Sequence, residues 1–181
     1  MVLWSEITDK NVIDTTPWGK EGRVKLSMNG GPLRFQIPRG RCKWGVSAYK
    51  SFQVSLNSPD FITWWKDLET FLCPQEPFNS NLKLNELRLK IDDAVYIFDE
   101  NSKQVCPEIR EGLFRGQDLS ILVDVDSTYF FNGTWGLTCR AAQIRYYGTG
   151  EETAAESARP AETSAPVLTP GVCAFLPIDG C

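Results

Sequence analysis

Residues 119–147 read LSILVDVDSTYFFNGTWGLTCRAAQIRYY. Two long runs rich in β-branched and aromatic side chains flank Asn132-Gly133, the strongest short-range cue for a two-residue hairpin turn. In the first run Leu119, Ile121, Val123 and Val125 alternate, so they share the core face of a strand. In the second, Trp135, Leu137, Cys139 and Ala141 fall on one face, and Arg140, Ala142, Ile144 and Tyr146 on the other. Asn132-Gly133-Thr134 also spells a glycosylation acceptor; with no secretion signal in the chain, it is read as a turn. Asp124 and Asp126 lie two apart, so both are expected to point away from the core. Such a pair suits a divalent cation, but it also keeps an exposed sheet soluble, and the second reading is preferred.

Upstream, Arg23–Met28, Leu33–Ile37 and Phe52–Leu56 alternate as strands do, with Asn29–Pro32 supplying turn chemistry. Ser58 is placed to cap a helix and Pro59 suits its first position. Phe61, Trp64, Trp65, Leu68, Phe71 and Leu72 then form one apolar stripe at helical spacing. Leu82–Ile91 reads as a strand with a bulge at Asn85-Glu86. Ala94–Phe98 extends it or forms a short helix, and residues 99–118 read as an irregular connection. The body, residues 1–147, is therefore mainly β with one or two helices.

Residues 148–170, GTGEETAAESARPAETSAPVLTP, are nearly devoid of large apolar side chains. Such a segment cannot offset its ordering entropy, so a disordered acidic linker is expected. Residues 171–181 end it with an apolar tip, and Phe175, Leu176 and Ile178 are expected to dock on a partner protein. The alternative is a tail that folds back on its own domain, or onto a neighbouring copy in a homo-oligomer.

The formal net charge is −4, but residues 1–150 hold eighteen basic and eighteen acidic side chains, so the acidic excess lies in the tail. Residues 20–50 carry eight basic side chains against Glu21 alone. Local potential matters more to a polyanion than the total.

Histidine is absent, which removes Ser–His–Asp and Cys–His chemistry. The six cysteines are scattered with no CxxC pair, so a zinc site is not expected and they read as small buried hydrophobes. No phosphate-cradling loop with lysine occurs. The reading is of a protein that is not an enzyme and takes no cofactor. No run approaches the roughly 20 apolar residues of a membrane span. The opening MVLWSEITDKNV lacks a basic region followed by an apolar one, so an intracellular location is expected.

What remains is basic and aromatic side chains interleaved on strands. Arg39, Arg41 and Lys43 alternate and would line one face, with Trp44 and Tyr49 close by. Phe130, Phe131 and Trp135 flank the hairpin tip, and Arg140 and Arg145 follow on its second arm. Cations neutralise phosphates and rings stack on exposed bases, so the pattern suits single-stranded nucleic acid. A small β-barrel with such loops resembles an OB-fold.

The order PLRFQIP, KWGVSAYK, FQVSLN, aromatic helix, then VDSTYFFNGTWGLTCRAAQIRYY resembles the OB-fold single-stranded DNA-binding proteins of large nucleocytoplasmic DNA viruses, over about residues 20–147. The resemblance implies a sequence-tolerant binder of single-stranded DNA in viral DNA replication, located in the host cell or at a viral replication site. Arg39, Arg41, Lys43, Arg140 and Arg145 would meet phosphates, and Trp44, Tyr49 and Trp135 would stack on bases. The tail would recruit a replication protein or compete with DNA. The rival reading is a minor capsid or scaffold component of the same kind of virus.

Overall fold

The computed structural model describes residues 2–19, 22–148 and Phe175. In chain order the strands are β1 (Ile13–Pro17), β2 (Val24–Met28), β3 (Gly31–Gln36), β4 (Gly40–Cys42) and β5 (Ser51–Ser55), followed by helix α1 (Pro59–Leu72). Then come β6 (Leu82–Lys83), β7 (Glu86–Lys90), β8 (Tyr96–Phe98), β9 (Gln104–Val105), β10 (Gln117–Phe131) and β11 (Thr134–Tyr147). Strand β10 pairs antiparallel with β4, β4 with β5, and β5 with β7. Strand β7 runs parallel to β11, and β11 pairs back onto β10. These five close an OB-like barrel, and the described residues are mainly β with one α-helix. Strands β1–β3 continue the wall from β10, and β8–β9 continue it from β11.

The β10–β11 hairpin forms where expected. Phe131 faces Thr134, and Asn132 and Gly133 both take positive φ, 49° and 75°. That conformation matches the twist of the flanking strands. Leu119, Ile121, Val123 and Val125 are all fully buried. Two bulges change what simple alternation predicts. Leu122 pairs with Gln143 but Val123 pairs with Ala141, so Ala142 is an extra residue. The slip turns Ile144 into the core, where it is fully buried, instead of leaving it on the face of Arg140. Asp126 is the extra residue of the second bulge, between the Val125 and Ser127 pairs.

Asp124 also departs from expectation. It is 3% exposed, because β3 lies beside β10 and lays Arg34 across it. The guanidinium makes two parallel contacts, Nε to Oδ1 at 2.6 Å and Nη2 to Oδ2 at 2.8 Å. That hydrogen bonding raises the pKa of Arg34 above its ordinary value.

Helix α1 starts as its sequence dictates: Ser58 Oγ accepts from Phe61 N at 3.3 Å, with Pro59 in the first turn. Phe61, Trp65, Leu68 and Leu72 face inward, while Phe71 at the stripe's edge is exposed. Trp64 stands edge-on to Phe35 of β3 at 5.1 Å, and its indole N–H donates to Ile7 O. Glu69 is buried on the same helix and accepts from Ser80 Oγ (2.6 Å) and Asn81 N (2.9 Å). Asn81 in turn donates to Leu137 O of β11 at 2.8 Å. This chain of bonds fastens helix, connecting loop and hairpin together.

Leu82–Ile91 is not one bulged strand. Lys83 pairs with Glu86 across a two-residue turn, and Leu84 takes φ 57° there. Ala94–Phe98 resolves as β8, parallel to β11, and the connection after it contains β9. Cys42, Cys73 and Cys139 are buried free thiols and Cys106 is exposed. Among the described residues, no helix is long and apolar enough to cross a membrane. The expected linker and docking peptide lie outside the described residues, apart from Gly148 and Phe175.

Arg34→Ala strands the Asp124 carboxylate with only Arg140 near it, at 4.0 Å. The expected cost is about 3 kcal/mol, the lower end for breaking a buried pair, measured by urea denaturation. Burial raises the pKa of Glu69 in the fold. The folded state therefore takes up this proton before the unfolded chain does, and its contribution to stability grows as pH falls from neutrality toward the ordinary glutamate value of about 4.3. The urea midpoint of Glu69→Gln minus that of the parent should accordingly be more positive at pH 7 than at pH 5.

Candidate nucleic-acid interface

Outward side chains of three adjacent strands make the wall on which the site is built. The register sets Arg41 beside Ser55, Ser55 beside Glu86, Gln53 beside Arg88, and Ser51 beside Lys90. Alternation sends Leu87 and Leu89 into the barrel, so Arg88 and Lys90 must point out. Neither makes an ion pair among the described residues.

Over this wall hang two loops. The first joins β4 to β5 and carries Tyr49, which is 92% exposed. The loop is pinned from behind: Val46 N donates to Leu113 O, Gly112 N to Val46 O, and Ser47 N to Ser51 O. Gly45 takes φ 77° against Gly112, where a Cβ would meet the Gly112 carbonyl oxygen at 2.5 Å. The second is the β10–β11 hairpin tip, which carries Phe131, 68% exposed. Phe130 and Trp135 pack together at 5.0 Å beneath it. Trp135 is clasped by backbone bonds to Pro77 O and from Asn79 N, both 2.8 Å. One step down the hairpin, the ring of Tyr129 covers its partner Gly136, where a Cβ would meet the ring at 2.5 Å.

Between the loops lies a hollow of about 390 Å³. Tyr49, Tyr129 and Phe131 supply rings, Arg88 and Lys90 supply charge, and among the described residues no carboxylate lines it. A second hollow of about 740 Å³ opens on the other side of Tyr129 and Thr138, which line both.

The residues singled out from sequence are distributed differently. Tyr49 lines the first hollow and Arg140 the second. Arg140 is held by acids: Asp126 at 3.1 Å, Asp92 at 3.6 Å and Asp124 at 4.0 Å. Burial raises the pKa of Asp126, and Arg140 opposes that shift. Arg39 stacks on Tyr147 at 3.8 Å and shares Asp118 with Arg41, at 3.4 and 3.6 Å. Lys43 pairs with Glu86 at 3.3 Å. These three cations remain half exposed on the β4 side of the wall, and pairs of that kind contribute only about 0–1 kcal/mol. Trp44 is 68% exposed in the β4–β5 loop, and Trp135 is partly buried against the core with its backbone clasped at the base of the tip. The guanidinium of Arg145 lies over Phe175 at 4.8 Å, and Phe175 also stands edge-on to Phe98 at 6.2 Å. Leu176 and Ile178 lie outside the described residues.

Sequence reasoning missed Arg88, Lys90 and Tyr129. The signal was present as ELRLK, whose charges alternate with core leucines. Among the described residues, no group of three His, Cys, Asp or Glu side chains is placed to hold a metal ion. Burial pushes the Cys42 thiol up to about 11 and raises Cys73 and Cys139 as well, so all three stay protonated at neutral pH.

No protein family and no curated protein matches the chain by sequence. Among solved structures, gp2.5, a single-stranded DNA-binding protein encoded by bacteriophage T7, aligns with TM-score 0.47 at 10% identity, covering 75% of this chain and 100% of that one. The single-stranded DNA-binding protein of bacteriophage Enc34 aligns with TM-score 0.47 at 10% identity, covering 76% and 95%. Its C-terminally truncated form gives TM-score 0.48 at 8% identity, covering 74% and 95%. These are phage proteins; membership of the nucleocytoplasmic virus family is not among the findings. Likeness at this level transfers no function.

Proposed function

We propose that this protein binds single-stranded DNA without sequence preference, in the hollow between Tyr49 and Phe131. The observation that carries the reading is the lining of that hollow among the described residues: three aromatic rings and two cations without ion pairs, with no carboxylate among them. Arg88 and Lys90 meet phosphates from the strand wall, while Tyr49, Tyr129 and Phe131 stack on bases. A duplex hides its base faces, so the rings favour a single strand. Arg41 and Lys43 continue the cationic wall and exchange their exposed carboxylate partners for phosphates at small cost. Trp44 borders the same loop as Tyr49. A place in viral DNA replication, with the apolar tip of the tail engaging a replication protein, completes the reading and is supported by the order of sequence motifs.

Anisotropy of a labelled oligothymidylate, titrated against salt, tests the electrostatic part. Each phosphate contact contributes a slope of about −0.7 in log affinity against log salt, so the Arg88→Ala, Lys90→Ala double variant should lose about 1.4 of it. An unchanged slope rejects both contacts. Tyr49→Ala and Phe131→Ala should each weaken binding by about 1–3 kcal/mol while leaving the slope unchanged. Gly136→Ala displaces the Tyr129 ring and should weaken binding with the phosphate contacts intact; parental affinity in a folded Gly136→Ala protein would remove Tyr129 from the site.

A further inference from the structure

The second hollow is larger than the first and was not part of any sequence expectation. It lies where β1–β3 meet the hairpin, lined by Trp18, Arg23, Lys25, Tyr129, Thr138 and Arg140 among others. Trp18 is 54% exposed, so its ring is available to a base. It is also held in place. Trp18 N donates to Arg23 O at 2.9 Å across the β1–β2 turn, and the Arg23 guanidinium lies over the indole at 5.9 Å. Gly19, at φ 72°, keeps that turn open: a Cβ there would press on the same guanidinium at 3.3 Å. Lys25 is exposed on β2 and makes no ion pair among the described residues. Among the described lining residues, the cations Arg23, Lys25 and Arg140 outnumber the acid Asp126.

We infer that this hollow is a second lobe of the same binding path, taking the next nucleotides of a single strand whose first nucleotides occupy the lobe between Tyr49 and Phe131. The inference rests on the function proposed above. Continuity is its main support: Tyr129 and Thr138 line both lobes, so a strand leaving one passes directly into the other. Trp18 stacks on a base in the second lobe, and Lys25 meets a phosphate beside it. Tyr129 stands at the junction and serves both. The β1–β3 extension is then part of the binding surface as well as the wall of the barrel, and the occluded length exceeds what the barrel groove alone holds.

The test is the dependence of each variant on oligonucleotide length. Affinities of the full chain for labelled oligothymidylates of four and twelve residues are measured by anisotropy at low salt; OB-fold sites span about 4–16 nucleotides. Trp18→Ala and Lys25→Glu should leave the four-residue affinity within about twofold and weaken the twelve-residue affinity about tenfold or more. Phe131→Ala should weaken both. If Trp18→Ala and Lys25→Glu bind the twelve-residue strand as the parent does, or weaken both lengths alike, the second lobe is overturned while the first stands. Failure of the parent to bind either strand overturns the underlying reading as well. Trp18 and Lys25 are exposed, so neither substitution touches the core; matching urea midpoints confirm that the variants are folded.

Discussion

Strand β10 is the member on which the other elements depend. It exchanges backbone hydrogen bonds with β11 along its length and with β3 and β4 on its other edge, and it touches β2 at Ser127. Its fully buried alternating residues fix the register, because a one-residue slip would turn the whole set outward. The Arg34–Asp124 pair sits on this strand and ties β3 to it from outside the barrel. A buried carboxylate with a bidentate partner resists exchange, unlike the exposed pairs of Arg39, Arg41 and Lys43. The protein thus separates two classes of arginine: one locked into the frame, the others open to a new anion.

The groove inherits its order from that frame. Both loops that overhang it are supported by bonds unrelated to any ligand. The β4–β5 loop leans on residues 112–113, and the hairpin tip is clasped through Trp135 by the segment that Glu69 and Asn81 anchor. In the proposed function, rings presented on such supports would lose little freedom on stacking with a base, which is where preorganised sites gain affinity. Buried Glu69 costs stability at neutral pH, and it holds the segment that braces the tip. The same residue therefore links a weakness of the core to the sharpness of the site.

Much of the local structure was legible in the sequence. The Asn132-Gly133 hairpin, the capped aromatic helix and the burial of Cys42, Cys73 and Cys139 follow from local chemistry: a turn that needs positive φ, a hydroxyl before Pro59, and thiols amid apolar neighbours; Cys106, expected to be buried too, is exposed. Less was legible of the site. The dense cationic stretch 39–43 drew attention because its charges are adjacent in the chain. The groove instead collects Tyr49, Arg88, Lys90, Tyr129 and Phe131 from three elements far apart in the chain: the β4–β5 loop, β7 and β10. Ile144 was assigned to the wrong face and the burial of Asp124 was missed, because alternation carries no information about a bulge or about the arginine a neighbouring strand lays across an outward carboxylate.

Sequence alone determined the strand-rich body, the hairpin and helix, the acidic tail, the lack of histidine chemistry and the general pairing of rings with cations. These depend on residue type and spacing within a few positions, where backbone sterics and burial act directly. Tertiary structure alone decided which cations face an open groove and which are neutralised by carboxylates. It also decided that Tyr129 stands between two hollows and that Trp18 belongs beside it. Barrel closure brings strands far apart in the chain side by side, and no local pattern specifies that geometry.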